Sequence, residues 1–303
     1  MSLHQEDTIT LEKNKVLSHT LYLVTTPIGN LADISERALK VLRECSFIAA
    51  EDTRNTRKLL AHFDIHKELV SYHEHNKHQK GNILCDRIAN GETCVLVTDA
   101  GMPAISDPGE DIVRLCRERN IRVTAVPGPC AAVTALSLSA LSTSRFAFEG
   151  FLPMQKKERV ARLEELVTEK RTFILYEAPH RLHETLCELS EFLGENRIIA
   201  LTKELTKLNE NVSLFTLGEA VNYTHSNSPR GEYVLVVEGL EEASIRLPHL
   251  ANNDTDFSAL SPEEHVKLYE SRGMEHKEAL KAAAKDRGLT KSEFYQQLID
   301  AKK

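Results

Sequence analysis

No stretch of this sequence is apolar for long enough to cross a bilayer: charged or turn residues interrupt every hydrophobic run well short of the roughly 20 residues a spanning helix needs. A membrane span is therefore excluded from the expectation. Residues 1–15 are polar and charged and lack an apolar segment followed by a cleavage pattern, so no secretory signal is read there and a cytoplasmic location is expected. Cysteine is scarce and not paired in spacing. Cys45, Cys85, Cys94, Cys116, Cys130 and Cys187 sit singly in or beside apolar segments, the pattern of small core residues in a reducing compartment, so neither a disulfide nor a zinc site is expected. Positive net charge is missing too. With 38 basic and 45 acidic residues the formal charge is -7, which gives no global basic field. Any nucleic-acid partner must be held by a local patch or by shape.

Several fingerprints of common chemistries are also absent. No G-x-G-x-x-G follows a strand and no G-x-x-x-x-G-K-[ST] occurs, which leaves hydride and phosphoryl transfer without support. There is no G-x-S-x-G nucleophile motif. His73-Glu74-His75 lacks the i, i+4 spacing of a zinc-protease helix and reads as polar surface rather than a metal site.

What is present is an alternation of short apolar runs and charged helical segments. Residues 20–26 form a short apolar and β-branched run ending in Thr26-Pro27-Ile28-Gly29-Asn30; a helix is expected next, capped by Asp33 with Glu36 three residues on. Similar runs occur at 47–50, 93–98 and 121–126. Strands alternating with helices imply a mostly parallel sheet, and unbroken apolar strands such as Cys94-Val95-Leu96-Val97 fit one covered on both faces. A second set follows, with strands expected at 145–149, 172–176, 197–202 and 233–237. The expected organisation is a polar tail (1–19), two α/β domains (20–130 and 131–242), a linker (243–258) and a small helical module (259–303). In that module a Ser261-Pro262-Glu263-Glu264 helix start and Gly273 and Gly288 breaks give three short helices. The second and third have helix-turn-helix spacing and carry Lys277, Lys281, Lys285, Arg287 and Lys291, so the module reads either as an RNA-docking element or as a solvated helical hairpin that closes the fold or a dimer.

Three strand ends of the first half run into loops dense in glycine and proline: 26–30, 99–109 and 127–129. In an open parallel sheet such loops line the ligand crevice, where glycine permits close backbone approach. Glu51 and Asp52, followed by Arg54, read either as base and phosphate anchor or as a structural ion pair. Glu204, flanked by Lys203 and Lys207, is a comparable catalytic candidate. Arg54, Arg57, Lys58, His75 and Asn76, with Lys281 and Lys285 of the module, are the candidate RNA contacts.

The runs Thr25-Thr26-Pro27-Ile28-Gly29-Asn30-Leu31-Ala32-Asp33, Ala49-Ala50-Glu51-Asp52-Thr53-Arg54, Asp99 to Gly109 and Val126-Pro127-Gly128-Pro129-Cys130-Ala131-Ala132 closely resemble the small-subunit ribosomal RNA methyltransferases of the tetrapyrrole methylase superfamily. Glu149-Gly150-Phe151-Leu152-Pro153 and Lys203-Glu204-Leu205-Thr206-Lys207 extend the likeness over about residues 20–240. The resemblance implies two α/β domains holding S-adenosyl-L-methionine (AdoMet) in the cleft between them, usually in a homodimer. It also implies 2'-O-methylation of a cytidine ribose in 16S ribosomal RNA, within the assembled small subunit. Carried onto this chain, the cofactor residues are Pro27, Gly29, Asn30, Asp99, Ala100, Gly101, Pro103, Ser106, Pro127, Gly128, Ala131 and Ala132. The wider superfamily has a glycine-rich first loop where this chain has Thr-Pro-Ile-Gly-Asn, a departure that favours the ribosomal RNA branch. The competing readings are a tetrapyrrole or other small-molecule methyltransferase of the same fold, and a non-catalytic, ligand-sensing nucleic-acid-binding regulator.

Overall fold

The computed structural model describes residues 15–240, 261–271, 276–287 and 289–300. The expected linker at 243–258, and the expected polar tail as far as residue 14, lie outside the described residues. The described residues up to 240 form one compact unit and those from 261 on another.

Strands β1 (Thr20–Val24), β2 (Phe47–Ala50), β3 (Glu68–Ser71), β4 (Thr93–Val97) and β5 (Arg122–Val126) build a five-stranded sheet in the order β3-β2-β4-β1-β5. Every pairing is parallel. Helices α1 (Glu36–Glu44), α2 (Thr53–His62), α3 (Lys77–Ala89) and α4 (Gly109–Glu118) make the connections. Along β1, Leu21 and Leu23 join one apolar cluster while Tyr22 and Val24 join another. Each face of the sheet thus has its own core, and a two-faced burial requires strands that are apolar throughout.

Two details differ from the sequence reading. The cap of α1 is Ser35, whose side chain accepts from the Ala38 amide, because residues 31–33 are already wound into a 3-10 turn that takes Asp33 out of the cap position. Strand β3 and helix α3 were not anticipated, since β3 is a short edge strand with only half-buried side chains after Glu68 and shows no apolar run.

The second sheet runs β6-β7-β10-β8-β9, from β6 (Phe146–Gly150), β7 (Thr172–Glu177), β8 (Ile198–Lys203), β9 (Asn211–Thr216) and β10 (Tyr233–Val237). Only β6 and β7 pair in parallel. Helix α5 (Ala131–Leu138) sets Ala132, Ala135 and Leu136 against Ile174, Val234 and Val236 of this sheet, and Ile28 from the loop after β1 and Leu205 from the loop after β8 join the same cluster. The other face is covered by α6 (Lys156–Val167), α7 (Leu182–Leu193) and α8 (Leu217–Ser226). Strand β9 and helix α8 also escaped the sequence reading; β9 is a half-exposed edge strand.

The C-terminal module, taken by itself, has three helices, α9 (Pro262–Ser271), α10 (His276–Asp286) and α11 (Lys291–Asp300), around Val266, Tyr269, Ala279, Leu280, Ala283, Ala284 and Phe294. Reciprocal capping hydrogen bonds between Ser261 and Glu264, and between Thr290 and Glu293, start the first and third.

Candidate active site

The loops after β1 and β4, which leave neighbouring strands, are stitched together: Thr26 and Gly101 each donate a backbone N–H to the other's carbonyl at 3.0 Å. Thr25 Oγ1 donates to the Val126 carbonyl at 2.9 Å, which brings in the end of β5. Loop 99–109 is wound around one carboxylate. Asp107 Oδ1 accepts from the amides of Ala104 at 2.9 Å and Gly109 at 2.7 Å, while Gly101, Ala104 and Ser106 all take positive φ. Burial pushes the Asp107 carboxyl above its usual range, against the pull of those amides. A side chain at Gly109 would put its Cβ 2.8 Å from the Ala104 nitrogen, so the turn admits only glycine.

These loops face the second sheet across a cavity of about 510 Å³. Ile28, Met102, Leu205, Tyr176 and Val234 give it apolar walls, and Glu51, Asp99, Asp107, Glu177 and Glu232 give it five carboxylates. Among the described residues no lysine, arginine or histidine lines it, but Lys207 pairs with Glu232 at 3.0 Å and Arg181 with Glu177 at 3.7 Å, which leaves Glu51, Asp99 and Asp107 as the lining carboxylates without an ion pair among the described residues. A smaller cavity of about 290 Å³ shares Thr98 and Asp99 with it and is lined also by Pro27, Gly29, Asn55, Lys58 and His62.

Of the cofactor residues expected from the sequence, Asp99, Ala100, Gly101, Ser106 and Ala131 line the larger cavity, and Pro27 and Gly29 the smaller. Asn30, Pro103, Pro127, Gly128 and Ala132 line neither. Asn30 caps the 3-10 turn through the Ala32 amide, and Ala132 is a core residue of α5.

The three candidate bases separate. Glu51 lines the larger cavity and accepts a 2.8 Å hydrogen bond from Thr98 Oγ1. Asp52 lines neither cavity; it caps α2 and is gripped by Arg54 at 2.8 Å, which pulls its carboxyl down to about 2. Of the two sequence readings of this residue, the structure shows the ion pair. Glu204 also lies outside both cavities, held by Lys207 at 2.9 Å and by the Glu232 amide, and its carboxyl is lowered by the Lys207 hydrogen bond first. A carboxylate held ionised in this way is a weak proton acceptor near neutrality.

Arg57 and Lys58 are exposed on α2, and Arg54 beside them is exposed but engaged by Asp52. His75 is exposed, whereas Asn76 is spent on the turn before α3, accepting from the His73 amide and donating to the Ser71 carbonyl. Lys281 and Lys285 are exposed on α10, one turn apart, with Lys277 a turn before them. Among the described residues no group of three or more His, Cys, Asp or Glu is arranged to hold a metal ion, and no helix is long and apolar enough to cross a membrane.

The sequence reading missed the second wall of the cleft: Phe151, Tyr176, Glu177, Thr202 and Glu232. Glu177 is the most constrained. Only 3% exposed, it accepts from Thr185 Oγ1 at 2.5 Å and from the Ala178 amide at 2.9 Å; Thr185 in turn accepts from Arg159, which is paired with Glu188. The sequence carries its signal: Thr-Phe-Ile-Leu-Tyr-Glu ends a strand just before Ala178-Pro179, the same strand-end setting as the loops of the first half.

The family described as tetrapyrrole (corrin/porphyrin) methylases matches residues 20–221. Ribosomal RNA small subunit methyltransferase I of Halalkalibacterium halodurans is 49% identical over 276 residues, covering 91% of this chain and 93% of that protein. The chain belongs to the family of ribosomal RNA small subunit methyltransferase I, within the tetrapyrrole methylases. The Escherichia coli O157:H7 member of that family is 47% identical, covering 75% of this chain and 80% of its own. Among solved structures, a cobalt precorrin-4 methyltransferase superposes with a TM-score of 0.55 at 16% identity, over 73% of this chain and 95% of that one. Uroporphyrin-III C-methyltransferase from Thermus thermophilus, complexed with S-adenyl homocysteine, superposes with a TM-score of 0.53 at 16% identity, over 72% and 97%. At these identities the tetrapyrrole enzymes share the methylase fold with this chain and no more is taken from them.

Proposed function

We propose that this protein is an AdoMet-dependent methyltransferase that transfers a methyl group to the ribose 2'-hydroxyl of a cytidine in 16S ribosomal RNA. The observation that carries the donor is the charge of the larger cavity. A sulfonium with an amino-acid ammonium is cationic, and a cleft lined by Glu51, Asp99 and Asp107, none of them in an ion pair among the described residues, suits it in sign, while its size and apolar walls suit an adenosine. The same charge opposes a polycarboxylate tetrapyrrole. The acceptor is taken from relatives named as small-subunit ribosomal RNA methyltransferases.

Asp99, Ala100, Gly101, Ser106 and Ala131 would hold the cofactor, which when bound supplies an electrophilic methyl. The chain's own part is chiefly positioning, because an in-line displacement gains most from fixing nucleophile and methyl in a near-attack arrangement. Glu51 lines the cleft and, among the described residues, is bonded by a neutral hydroxyl and not by a cation, which suits it, rather than Asp52 or Glu204, to accept the ribose proton. Arg57 and Lys58, exposed beside the smaller cavity, would hold phosphates at the rim while a ribose enters from that side.

We also place the boundary between the two α/β halves at residues 130–131, the helical module as a helix-turn-helix-like RNA-docking element, and the working form as a cytoplasmic homodimer acting on the assembled small subunit. The testing experiment is transfer of labelled methyl from AdoMet to small subunits purified from cells lacking this protein, followed by nucleoside mass spectrometry of the digested RNA. The expected product is 2'-O-methylcytidine. AdoMet binding without incorporation would leave the donor assignment and overturn the acceptor.

A further inference from the structure

We propose that Phe151, backed by Tyr176, is a stacking platform for the base of the acceptor nucleotide, drawn out of the RNA into the mouth of the cleft. The inference rests on the reading of this site as an RNA methyltransferase. Three observations converge on it.

The first is how the backbone presents the ring. Strand β6 pairs with β7 in register as far as Phe148, then shifts before Gly150, and Gly150 takes φ +65°. A shift of this kind bends a strand and re-aims the side chains that follow it. Loop 99–109 meets this bend, with Ser106 Oγ 3.0 Å from where a Gly150 Cβ would stand. Phe151 leaves the bend 54% exposed and on the wall of the larger cavity.

The second is the support behind it. Tyr176 stands edge-on to Phe151, with ring centroids 5.6 Å apart, and edge-on to Phe148 at 5.1 Å. Burial drives the Tyr176 hydroxyl up to about 12, so it stays neutral and adds no charge to the cluster. Phe151 is braced by this T-shaped contact while about half of its surface stays open, room for a planar ligand to meet it.

The third is what the cleft excludes. Its unpaired carboxylates, Glu51, Asp99 and Asp107, repel phosphate, so the uncharged base and sugar of a nucleotide enter in preference and the backbone stays at the rim. Lys156 and Lys157, which begin α6 just after Phe151, are exposed and have no ion pair among the described residues, so cations are available on that side. An enzyme that acts on one nucleotide of a folded RNA gains access by unstacking it, and an aromatic ring replaces the lost stacking partner.

The test compares Phe151→Ala, Phe151→Leu and Phe151→Trp with wild type on small subunits, measuring kcat and KM for the RNA and, separately, AdoMet affinity by calorimetry. Stacking on an aromatic ring predicts a tenfold to hundredfold loss of kcat/KM in F151A, carried by KM. F151L should fall with it, F151W should stay near wild type, and AdoMet affinity should not change. F151A within twofold of wild type overturns the inference, as does F151L rescuing as well as F151W. A parallel loss of AdoMet affinity in F151A overturns it too, by assigning the ring to the donor. A wild type that transfers no methyl to ribosomal RNA overturns the functional reading and this inference with it, whereas an active wild type with an unimpaired F151A overturns the inference alone.

Discussion

Gly29 and Lys207 meet so closely that a Cβ on the glycine would stand 2.5 Å from Lys207 Cγ and 2.9 Å from the Leu205 carbonyl oxygen. The loop after β1 therefore rests directly on the loop after β8, which ties the two halves together beside the smaller cavity that Gly29 lines. Gly29→Ala should force these loops apart. Overpacking of this kind costs about 1–3 kcal/mol, so a lowered Tm together with at least a tenfold weaker AdoMet affinity by calorimetry is expected. Unchanged values for both would show that Lys207 swings aside without consequence.

Asp99 is common to both cavities and is touched by Asn55 at 3.5 Å. Asp99→Ala should abolish AdoMet binding. Full affinity in a calorimetric titration would remove Asp99 from the cofactor site.

The first sheet was readable because β1, β2 and β4 are fully buried apolar runs and β1, β4 and β5 end in glycine- and proline-rich loops, so burial and turn chemistry mark the boundaries. Phe47-Ile48-Ala49-Ala50 is fully buried and was placed residue for residue. Strands β3 and β9 were not legible because an edge strand with one side to solvent carries no apolar run. The site shows the same asymmetry. Asp99, Gly101 and Ser106 lie in one continuous loop and announce themselves in the sequence. Glu177 and Phe151 reach the cleft only through the packing of the second sheet, and the split of Glu51 from its neighbour Asp52 depends on which way two adjacent side chains leave the end of a strand.

Thr185 joins Glu177 to Arg159 inside the second half, with each of the three nine-tenths buried or more. Thr185→Val keeps the shape and removes both hydrogen bonds, leaving a buried carboxylate and guanidinium short of a partner. The expected loss is about 1–3 kcal/mol, read as a lower urea midpoint at an unchanged slope, accompanied by reduced methyl transfer. A midpoint equal to wild type would mean that the two charges find other partners.

Asp52 has a folded-state carboxyl near 2, below its unfolded value, so its pairing with Arg54 contributes stability above the unfolded value and loses it as pH falls through about 2. Asp52→Asn retains the helix cap and removes the charge. Thermal melts should show a small deficit in the variant at neutral pH that closes as pH drops from about 4 to 2. A deficit independent of pH would assign the effect to the cap. Methyl transfer at neutral pH should survive in this variant, since Asp52 does not face the cleft.

Lys281 and Lys285 sit one turn apart on the exposed face of α10. If each meets a phosphate, replacing both by alanine should make the slope of log affinity against log salt shallower by about 1.4 for single-stranded RNA. Binding isotherms at several salt concentrations give this directly. A slope equal to wild type would leave the module without a part in RNA docking.

Strand order also bears on how the chain is made. The first sheet is complete once β5 ends at Val126, but the second has β10, its last strand, at its centre between β7 and β8. During synthesis from the N-terminus the first half can therefore settle early. The halves of the second sheet must wait, unjoined and with apolar edges open, until residues 233–237 have emerged. The cleft wall that carries Tyr176 and Glu177 is thus among the last parts of the α/β chain to form, and a nascent chain stopped before β10 would hold a finished set of first-half loops with nothing to close against.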